Sequence, residues 1–364
     1  MGQISEHVVH GALDYEELER LELRPEEILD CSVNANPYGP SPLVRQAIAQ
    51  AAIDRYPDRE SLQLRRALLD HELERPSLTL PSILCGNGTT ELIWTIARAF
   101  LQPGQKAAIL GPTFGEYRAA SQATGAAVAE YVEQARNQFH LDLAAISAWL
   151  HAERPSLLWL CNPNNPTGLW LDRQALVCLA QVCESIHAVL VIDEAYWRFL
   201  VPQEQFSAID LVEQSGSERL IVLRSLTKDY ALAGVRLGYV VATEDTTARL
   251  RAYLPSWNVS GLAQAAGIAA VLDRAYLTRT LEMVARERQA FFSALEERGM
   301  SILPSRTHFC LIEVQDARAM RQELLSRRIL VRDCTSFGLP KHIRVATRQR
   351  DAWQQLVQAL QEVI

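Results

Sequence analysis

The sequence predicts an α/β fold, in which a mostly parallel sheet carries helices on both faces and a smaller α+β unit follows it. Short apolar runs alternate with helical patterns through the middle of the chain. The runs are continuously apolar, as in strands that are buried on both faces of a sheet. After about residue 250 this alternation ends, and 364 residues suffice for one large core and a second, smaller one.

Six apolar runs are the predicted strands of the large sheet, at residues 82–85, 107–110, 157–161, 188–192, 220–223 and 237–241. Amphipathic patterns between them predict the covering helices, for example at residues 91–101 and 173–185. Because strands and helices alternate, we expect mostly parallel pairing with helical crossovers.

The sequence pattern after about residue 250 predicts a smaller α+β unit without regular alternation of strands and helices. A long helical pattern covers residues 262–298 with a break near 273–274, and shorter patterns follow at residues 309–314, 318–326, 329–332, 343–346 and in a final helix. The first 40 residues hold too little apolar surface for a core of their own, so we expect them to pack on the C-terminal unit as an arm. The predicted division is an arm over residues 1–40, a large domain over 41–250 and a small domain over 251–364.

Composition argues against several classes of function. The net charge is -7 and there is no basic tract, so nucleic acid and anionic membranes are not expected partners. The seven cysteines are scattered without CxxC spacing, which predicts reduced thiols, with neither disulfide bonds nor a metal site. The N-terminus lacks the apolar segment of a secretory signal, and no apolar run is long enough to cross a bilayer. These observations favour a cytoplasmic protein.

Lys228 lies just after a predicted strand and is the first candidate for chemistry. Apolar surroundings at such a position lower the pKa of a lysine and favour its attack on an aldehyde. Ser225 and Arg236 flank it in sequence, and a hydroxyl and a guanidinium are suited to hold one phosphate. Taken alone, the Ser-Leu-Thr-Lys motif is more typical of an ordinary surface lysine beside a helix cap.

Asp193 ends another predicted strand, and catalytic groups of parallel sheets lie at that end. A carboxylate there can pair with a protonated pyridine nitrogen and keep the ring cationic. Tyr196 follows closely and could donate a hydrogen bond to a phenolic oxygen of the same ring. The alternative is that Asp193 only caps the next helix.

Three more segments follow predicted strands. Residues 161–168 hold asparagines between prolines, a turn that presents the amide of Asn165 rigidly. Gly88 and Thr89 begin a predicted helix, whose free N–H groups attract a phosphate. Phe114 could stack on a flat ring. Each segment also has a structural explanation. Residues 161–168 could be an ordinary connecting loop, Thr89 could only cap a helix, and Phe114 could be a core aromatic.

Together these segments supply a phosphate-binding site, an aromatic side chain that can stack on a ring, a carboxylate for a ring nitrogen and an amine that can react with an aldehyde. One cofactor requires all four, namely pyridoxal 5'-phosphate. Because the features are independent of each other, their agreement at one edge of the sheet predicts a soluble enzyme that binds this cofactor through Lys228 and acts at the Cα of an amino acid.

On these residues the chain resembles the fold-type-I pyridoxal-phosphate enzymes, aminotransferase class I/II, from Asn34 to the last helix. The resemblance implies the transferase fold of that family, with a seven-stranded sheet, and a homodimer with shared active sites. It also implies roles for individual residues. Lys228 would hold the cofactor and move protons at Cα. Around the cofactor ring, Asp193 would pair with the nitrogen, Tyr196 and Asn165 would contact the phenolic oxygen, and Phe114 would stack on one face. The phosphate would be held by Gly88, Thr89, Ser225 and Arg236, Tyr56 would reach the partner's cofactor, and Arg344 would bind the substrate carboxylate.

Two branches of that family are similar to the chain. Residues 34–39 and 55–58 resemble histidinol-phosphate aminotransferases. Residues 10–11, 224–228, 332–334 and 344–348 resemble threonine-phosphate decarboxylases of cobalamin biosynthesis, and Ala35 stands where the aminotransferase branch usually has Glu. We favour the decarboxylase, which would convert L-threonine O-3-phosphate to (R)-1-aminopropan-2-yl phosphate. A non-catalytic pyridoxal-phosphate-binding regulator is the alternative from another class, although no DNA-binding segment accompanies the motifs.

Within this branch the resemblance implies substrate contacts by Asn36, His10, Arg332 and Arg344, with Arg332 suited to a substrate phosphate. The chain departs from the decarboxylase pattern at two positions. Ala12 replaces the second glycine of a His-Gly-Gly segment, and Ser260 replaces an asparagine. Either change is compatible with an altered substrate.

Overall fold

The computed structural model describes residues 11–363. Its strands are β1 (Leu29–Asp30), β2 (Ile83–Gly86), β3 (Lys106–Gly111), β4 (Ala127–Val132), β5 (Leu157–Cys161), β6 (Val189–Asp193), β7 (Leu220–Ser225), β8 (Gly238–Val241), β9 (Phe309–Glu313), β10 (Ile329–Leu330), β11 (Arg332–Asp333) and β12 (His342–Ala346). Its α-helices are α1 (Tyr15–Arg20), α2 (Pro42–Gln50), α3 (Leu62–Ala67), α4 (Gly88–Phe100), α5 (Glu116–Ala123), α6 (Leu143–Glu153), α7 (Arg173–Ser185), α8 (Ile209–Ser215), α9 (Glu244–Arg251), α10 (Gly261–Leu272), α11 (Arg274–Glu297), α12 (Ala317–Ser326) and α13 (Arg350–Val363).

Seven strands form the large sheet, in the order β2-β8-β7-β6-β5-β3-β4. All neighbouring pairs are parallel except the two that β8 makes, with β7 and β2. The predicted α/β fold with a mostly parallel sheet is therefore confirmed. The six apolar runs all form strands of this sheet, and the sequence analysis missed only β4 among its members.

The large core lies on both faces of this sheet. Along β5, Leu158 and Leu160 belong to one apolar cluster, while Trp159 and Cys161 belong to the cluster on the opposite face. Successive side chains of a strand point to opposite faces, so a strand covered by helices on both sides needs apolar residues at every position. This requirement explains the unbroken apolar runs in the sequence.

The C-terminal part contains an antiparallel sheet in the order β11-β12-β9, packed with helices α11 to α13. The predicted helical break is present, because Asp273 separates α10 from α11 and its carboxylate accepts a hydrogen bond from the main-chain N–H of Tyr276. The early residues contact this part. Strand β1 pairs in parallel with β10, and Leu18 packs against Leu325. These contacts support the proposal that residues 1–40 form an arm on the C-terminal unit.

Among residues 11–363, no helix combines the length and the apolar character that a membrane span requires. The same part of the chain holds no cluster of His, Cys, Asp and Glu side chains that could bind a metal ion.

Candidate active site

A cavity of about 1030 Å³ lies at the edge where the parallel strands end. Strands β2, β3, β5, β6 and β7 each lead into a loop that contributes to its wall. Nine of the predicted site residues line it: Thr89, Phe114, Asn165, Asp193, Tyr196, Lys228, Arg236, Arg332 and Arg344. The structure therefore brings most of the predicted site together in one place.

Lys228 follows β7 and is partly buried, with its amine facing the cavity. Burial, together with the nearby guanidinium groups of Arg344 and Arg236, lowers the pKa of this amine to about 8, whereas Asp193 acts in the opposite direction. A substantial fraction of the amine is therefore neutral near pH 8, which is the form that attacks an aldehyde.

Asp193 is the last residue of β6 and is almost completely buried. Its carboxylate accepts hydrogen bonds from the hydroxyl of Tyr117 at 2.8 Å and from the main-chain N–H of Ala195 at 3.0 Å. Burial raises the pKa of Asp193 to about 6, and these two donors counteract that rise. Because two donors already contact the carboxylate, it is held in a fixed orientation beside the cavity.

Tyr117 is a site residue that the sequence analysis missed. It lies on α5, three residues after Phe114, and its ring stacks on Trp159 with the centroids 5.1 Å apart. Phe114 meets the edge of the same ring at 5.7 Å. The signal in the sequence was an aromatic residue in the first turn of a helix beside the site, but only the fold shows that its hydroxyl reaches Asp193.

The corner with Gly88 and Arg236 has the properties of a phosphate site. Gly88 has a φ of +77°, and a Cβ added there would lie 2.7 Å from a guanidinium nitrogen of Arg236. Thr89 follows in the first turn of α4, where main-chain N–H groups lack helical partners. Ser225 is buried, and its hydroxyl lies 2.7 Å from the hydroxyl of Thr227. Of these two residues, Thr227 lines the cavity and Ser225 lies behind it.

Asn165 and Arg344 form the opposite wall. The side chains of Asn162 and Asn164 tie the proline-rich loop to neighbouring main chain, which leaves Asn165 to face the cavity. Its amide oxygen accepts a hydrogen bond from Arg344, which also donates to the main-chain carbonyl of Ser32 at 2.6 Å. Tyr196 lies close by, with its ring centre 5.9 Å from the Lys228 nitrogen.

Two buried arginines lie side by side in this wall. Arg332 on β11 is directly opposite Arg344 on β12 in the antiparallel pair, so both side chains lie on the same face of the sheet. Burial lowers the pKa of Arg332 to about 10, and the positive charge of Arg344 adds to this effect. Gly11 lies close to both arginine side chains. A Cβ added to Gly11 would be 3.5 Å from the side chain of Arg332 and 3.5 Å from that of Arg344.

Two of the predicted residues, Tyr56 and Asn36, do not line the cavity. Tyr56 is 80% exposed and packs on Trp257, with the ring centroids 4.8 Å apart. Asn36 does not line the cavity, because its amide donates to the Asp229 carbonyl and to Thr280 inside the protein. The position expected for Asn36 in the cavity is therefore wrong, and Asn34, two residues earlier, lines the cavity in its place. The remaining prediction, His10, lies outside the described residues.

Asn34 lines the cavity and has both side-chain polar atoms buried without a hydrogen-bond partner among the described residues. The amide lies beside the Tyr196 hydroxyl, so both polar groups face the same cavity. Sequence reasoning named the segment around Asn34 but not this residue, since only the path of the main chain decides which asparagine faces inward.

The chain matches the family described as aminotransferase class I and II over residues 26–360. The chain belongs to this family. A threonine-phosphate decarboxylase from Salmonella typhimurium is 34% identical over 98% of this chain and 96% of that protein. A histidinol-phosphate aminotransferase from Geobacillus is 31% identical, with 93% and 90% covered. The structure of a histidinol-phosphate aminotransferase from Sinorhizobium meliloti in complex with pyridoxal-5'-phosphate has a TM-score of 0.85 and 27% identity, with 97% and 95% covered.

Membership of the aminotransferase class I and II family confirms the resemblance seen in the motifs and the fold type expected from it. The relatives include both branches that the sequence analysis weighed against each other. The choice between them therefore depends on the chemistry of the cavity.

Proposed function

We propose that this member of the family is a pyridoxal-phosphate-dependent lyase that decarboxylates L-threonine O-3-phosphate to (R)-1-aminopropan-2-yl phosphate, a reaction of cobalamin biosynthesis. The observation that carries the proposal is the pair Arg332 and Arg344, two buried guanidinium groups on one face of a small sheet. Two buried guanidinium groups side by side suit a ligand that carries two anionic groups.

The cofactor is pyridoxal 5'-phosphate, and the residues of the cavity fit it. When bound, its protonated ring withdraws electrons from the Cα of an attached amino acid. Gly88, Thr89, Thr227 and Arg236 would hold its phosphate, with Ser225 close behind Thr227. The Asn34 amide and the Tyr196 hydroxyl, which face the same cavity, are suited to a polar ligand.

Further residues would fix the ring of the cofactor. Asp193 would pair with the ring nitrogen, Phe114 would stack, and Tyr196 and Asn165 would contact the phenolic oxygen. These assignments agree with the positions of the four residues around one cavity.

The substrate of the proposed reaction carries two anionic groups separated by a few bonds. Arg344 would bind its carboxylate and Arg332 its phosphate, because a planar guanidinium binds either group through two parallel hydrogen bonds. Histidinol phosphate, in contrast, has a phosphate but no carboxylate. A paired arginine site therefore matches O-phosphothreonine in charge.

Holding both ends of the substrate decides which bond at Cα breaks. Arg332 and Arg344 would orient the substrate so that the bond from Cα to the carboxyl carbon is the one that breaks. The carboxyl group then leaves as carbon dioxide, and the electron pair remaining at Cα takes up a proton that Lys228 delivers. Orientation of this kind accounts for much of the rate enhancement of enzymes.

The test offers O-phosphothreonine and histidinol phosphate in parallel. The proposal expects carbon dioxide from O-phosphothreonine with no requirement for a 2-oxo acid. Arg332→Met should raise KM or lower kcat/KM by roughly a hundred-fold, because the partner charge is lost in a buried site. Arg286→Met, at an exposed position of α11, is the matched control. Transfer of the amino group from histidinol phosphate to a 2-oxo acid, without carbon dioxide, would overturn the proposal.

Histidinol-phosphate aminotransferase activity is the second candidate. It is favoured by the relatives from Geobacillus and Moorella thermoacetica, which are 31% and 32% identical to this chain over more than nine tenths of it. Under this alternative the two arginines would bind the two carboxylates of an amino-group donor such as glutamate.

We also propose that two copies of the chain form a homodimer with shared active sites. Its described surface carries exposed apolar side chains, here called the apolar patch, at Ile53, Tyr56, Tyr253, Trp257 and Leu262, and the rings of Tyr56 and Trp257 pack on each other. Ile53 is 83% exposed and Tyr56 is 80% exposed, which is costly for large apolar side chains unless a partner covers them. Placement of Tyr56 on this patch agrees with its expected reach into the partner's cavity.

A further inference from the structure

A buried charged cluster lies directly behind two residues of the proposed active site. Asp229 follows Lys228 in sequence, and Arg198 lies two residues after Tyr196. The Arg198 Nε is 3.3 Å from a carboxylate oxygen of Asp229. This ion pair therefore connects the loop that carries Lys228 with the short helical turn that follows Tyr196.

Glu72 is the third member of the cluster and anchors it to another part of the fold. It lies in a π-helical segment, Leu68–Leu73, and its carboxylate accepts hydrogen bonds from Arg198 Nη2 and from the Tyr230 hydroxyl, each at 2.6 Å. The side chains of Glu72, Asp229 and Arg198 are 4%, 6% and 19% exposed. Solvent therefore screens these contacts only weakly.

The main chain at Lys228 is also held from the other side. The main-chain N–H of Asn36 donates to the Lys228 carbonyl at 2.8 Å, and the Asn36 amide donates to the Asp229 carbonyl at 3.0 Å. The loop is thus fixed between Asn36 and the charged cluster. This gives Asn36 a definite role outside the cavity.

The cluster contacts the loop of Lys228 through the side chain of Asp229, the next residue in the chain. The charged groups that shift the pKa of the Lys228 amine are Arg344, Arg236 and Asp193, which face it from the cavity. Arg198, Asp229 and Glu72 are not among them. A buried ionic cluster is also no general source of stability, since apolar residues of similar volume often stabilise a fold as well or better. A role in orientation accounts for its position.

We propose that Arg198 is a positioning residue. By binding Asp229 and Glu72, it holds the main chain of Lys228 in a fixed position relative to the main chain of Tyr196. The proposal rests on the proposed function, in which Lys228 binds the cofactor and delivers a proton. A lysine displaced by a fraction of an ångström would still attach to the cofactor but would deliver the proton less efficiently.

The test compares Arg198→Met, Arg198→Lys and the nearly isosteric Asp229→Asn in the holoenzyme. We expect Arg198→Met and Asp229→Asn to lower kcat by roughly ten- to a hundred-fold with little change in KM. The visible circular dichroism of the bound cofactor should change as well, because it reports the orientation of the cofactor relative to the protein. Arg198→Lys keeps the charge and should restore part of both signals.

The matched control is Glu17→Gln, which weakens the half-buried ion pair between Glu17 and Arg321, far from Lys228 in the sequence. It should leave kcat and the circular dichroism unchanged. The proposal is wrong if Asp229→Asn, folded and holding cofactor, has the wild-type circular dichroism and kcat. The circular dichroism requires no substrate, so it decides the role of Arg198 even when O-phosphothreonine proves not to be the substrate.

Discussion

Asp193 and Lys228 line the same cavity, and burial shifts their pKa values towards each other. The carboxylate has a pKa of about 6, raised by burial, and the amine has a pKa of about 8, lowered by burial. Both groups can therefore exchange protons near neutral pH. Perturbed groups facing one cavity are typical of catalytic sites, and here a specific partner can be named for each.

The pKa of Asp193 predicts how cofactor affinity depends on pH. A cationic ring nitrogen lowers this pKa in the complex, because an opposite charge favours the carboxylate. Below pH 6 the free protein must release a proton from Asp193 when it binds the ring. Affinity should therefore fall as the pH is lowered through about 6. Equilibrium titration with pyridoxamine 5'-phosphate at several pH values measures this step in affinity. The ligand has no aldehyde that could react with Lys228.

Two variants test the origin of the step. Tyr117→Phe removes the hydroxyl that stabilises the carboxylate, so the step should move to higher pH while the stacking on Trp159 is retained. Asp193→Asn should bind more weakly and show no step. A step that stays at the same pH in Tyr117→Phe would contradict the role given to this hydroxyl.

The sequence predicted the residues of the site where they directly follow a strand. Asp193, Lys228 and Asn165 were found in this way, because the ends of parallel strands meet at one edge. Tyr117 and Asn34 could not be predicted, since their roles depend on how a helix and a loop turn towards the cavity. Asn36 was misplaced for the same reason.

At the level of elements, the start of α4 shows how closely the main chain is adapted to the site. Gly88 combines a positive φ with the close approach of Arg236. Any side chain at this position would displace the guanidinium proposed to hold the cofactor phosphate.

We predict that Gly88→Ala strongly weakens cofactor binding. Gly104→Ala is the matched control, because Gly104 also has a positive φ, of +87°, but a Cβ there would meet no atom within 4 Å. Both changes should lower the free energy of unfolding by about 1 kcal/mol, the ordinary cost of a left-handed alanine. Only Gly88→Ala should raise the dissociation constant of the cofactor, which visible absorbance measures. Equal affinity in the two variants would contradict the assignment of the phosphate site.

The strands of the large sheet differ in how well the sequence predicted them. Those covered on both faces have unbroken apolar composition and were found within one or two residues. Strand β4 lies at the edge of the sheet, and its residues are only partly buried. Its sequence therefore lacks the apolar run that marked the others.

At the scale of the whole molecule, the site draws on distant parts of the chain, from Gly11 to Arg344. The pairing of Arg332 with Arg344 depends on the register of β11 and β12, which the sequence alone could not specify. The helical break at Asp273 was predicted, because an aspartate suits the start of a helix.

The exposed apolar patch leads to a prediction about assembly. Ile53→Asp should shift the protein from dimer to monomer and weaken activity, because a buried charge at the interface lacks a partner. Leu21→Asp, at a 50% exposed leucine near α1, is the control and should leave the dimer intact. Sedimentation equilibrium measures the mass. A wild-type protein that is monomeric at micromolar concentration would contradict the proposed dimer.

The central claim is that Lys228 carries the cofactor, and reduction with borohydride followed by peptide mass analysis tests it most directly. The chain has three lysines, which makes the outcome unambiguous: Lys106 is paired with Glu153, Lys341 is exposed, and Lys228 faces the cavity. The account predicts that the reduced cofactor is found on Lys228 alone. Fixation on Lys106 or Lys341, with Lys228 unmodified, would contradict it.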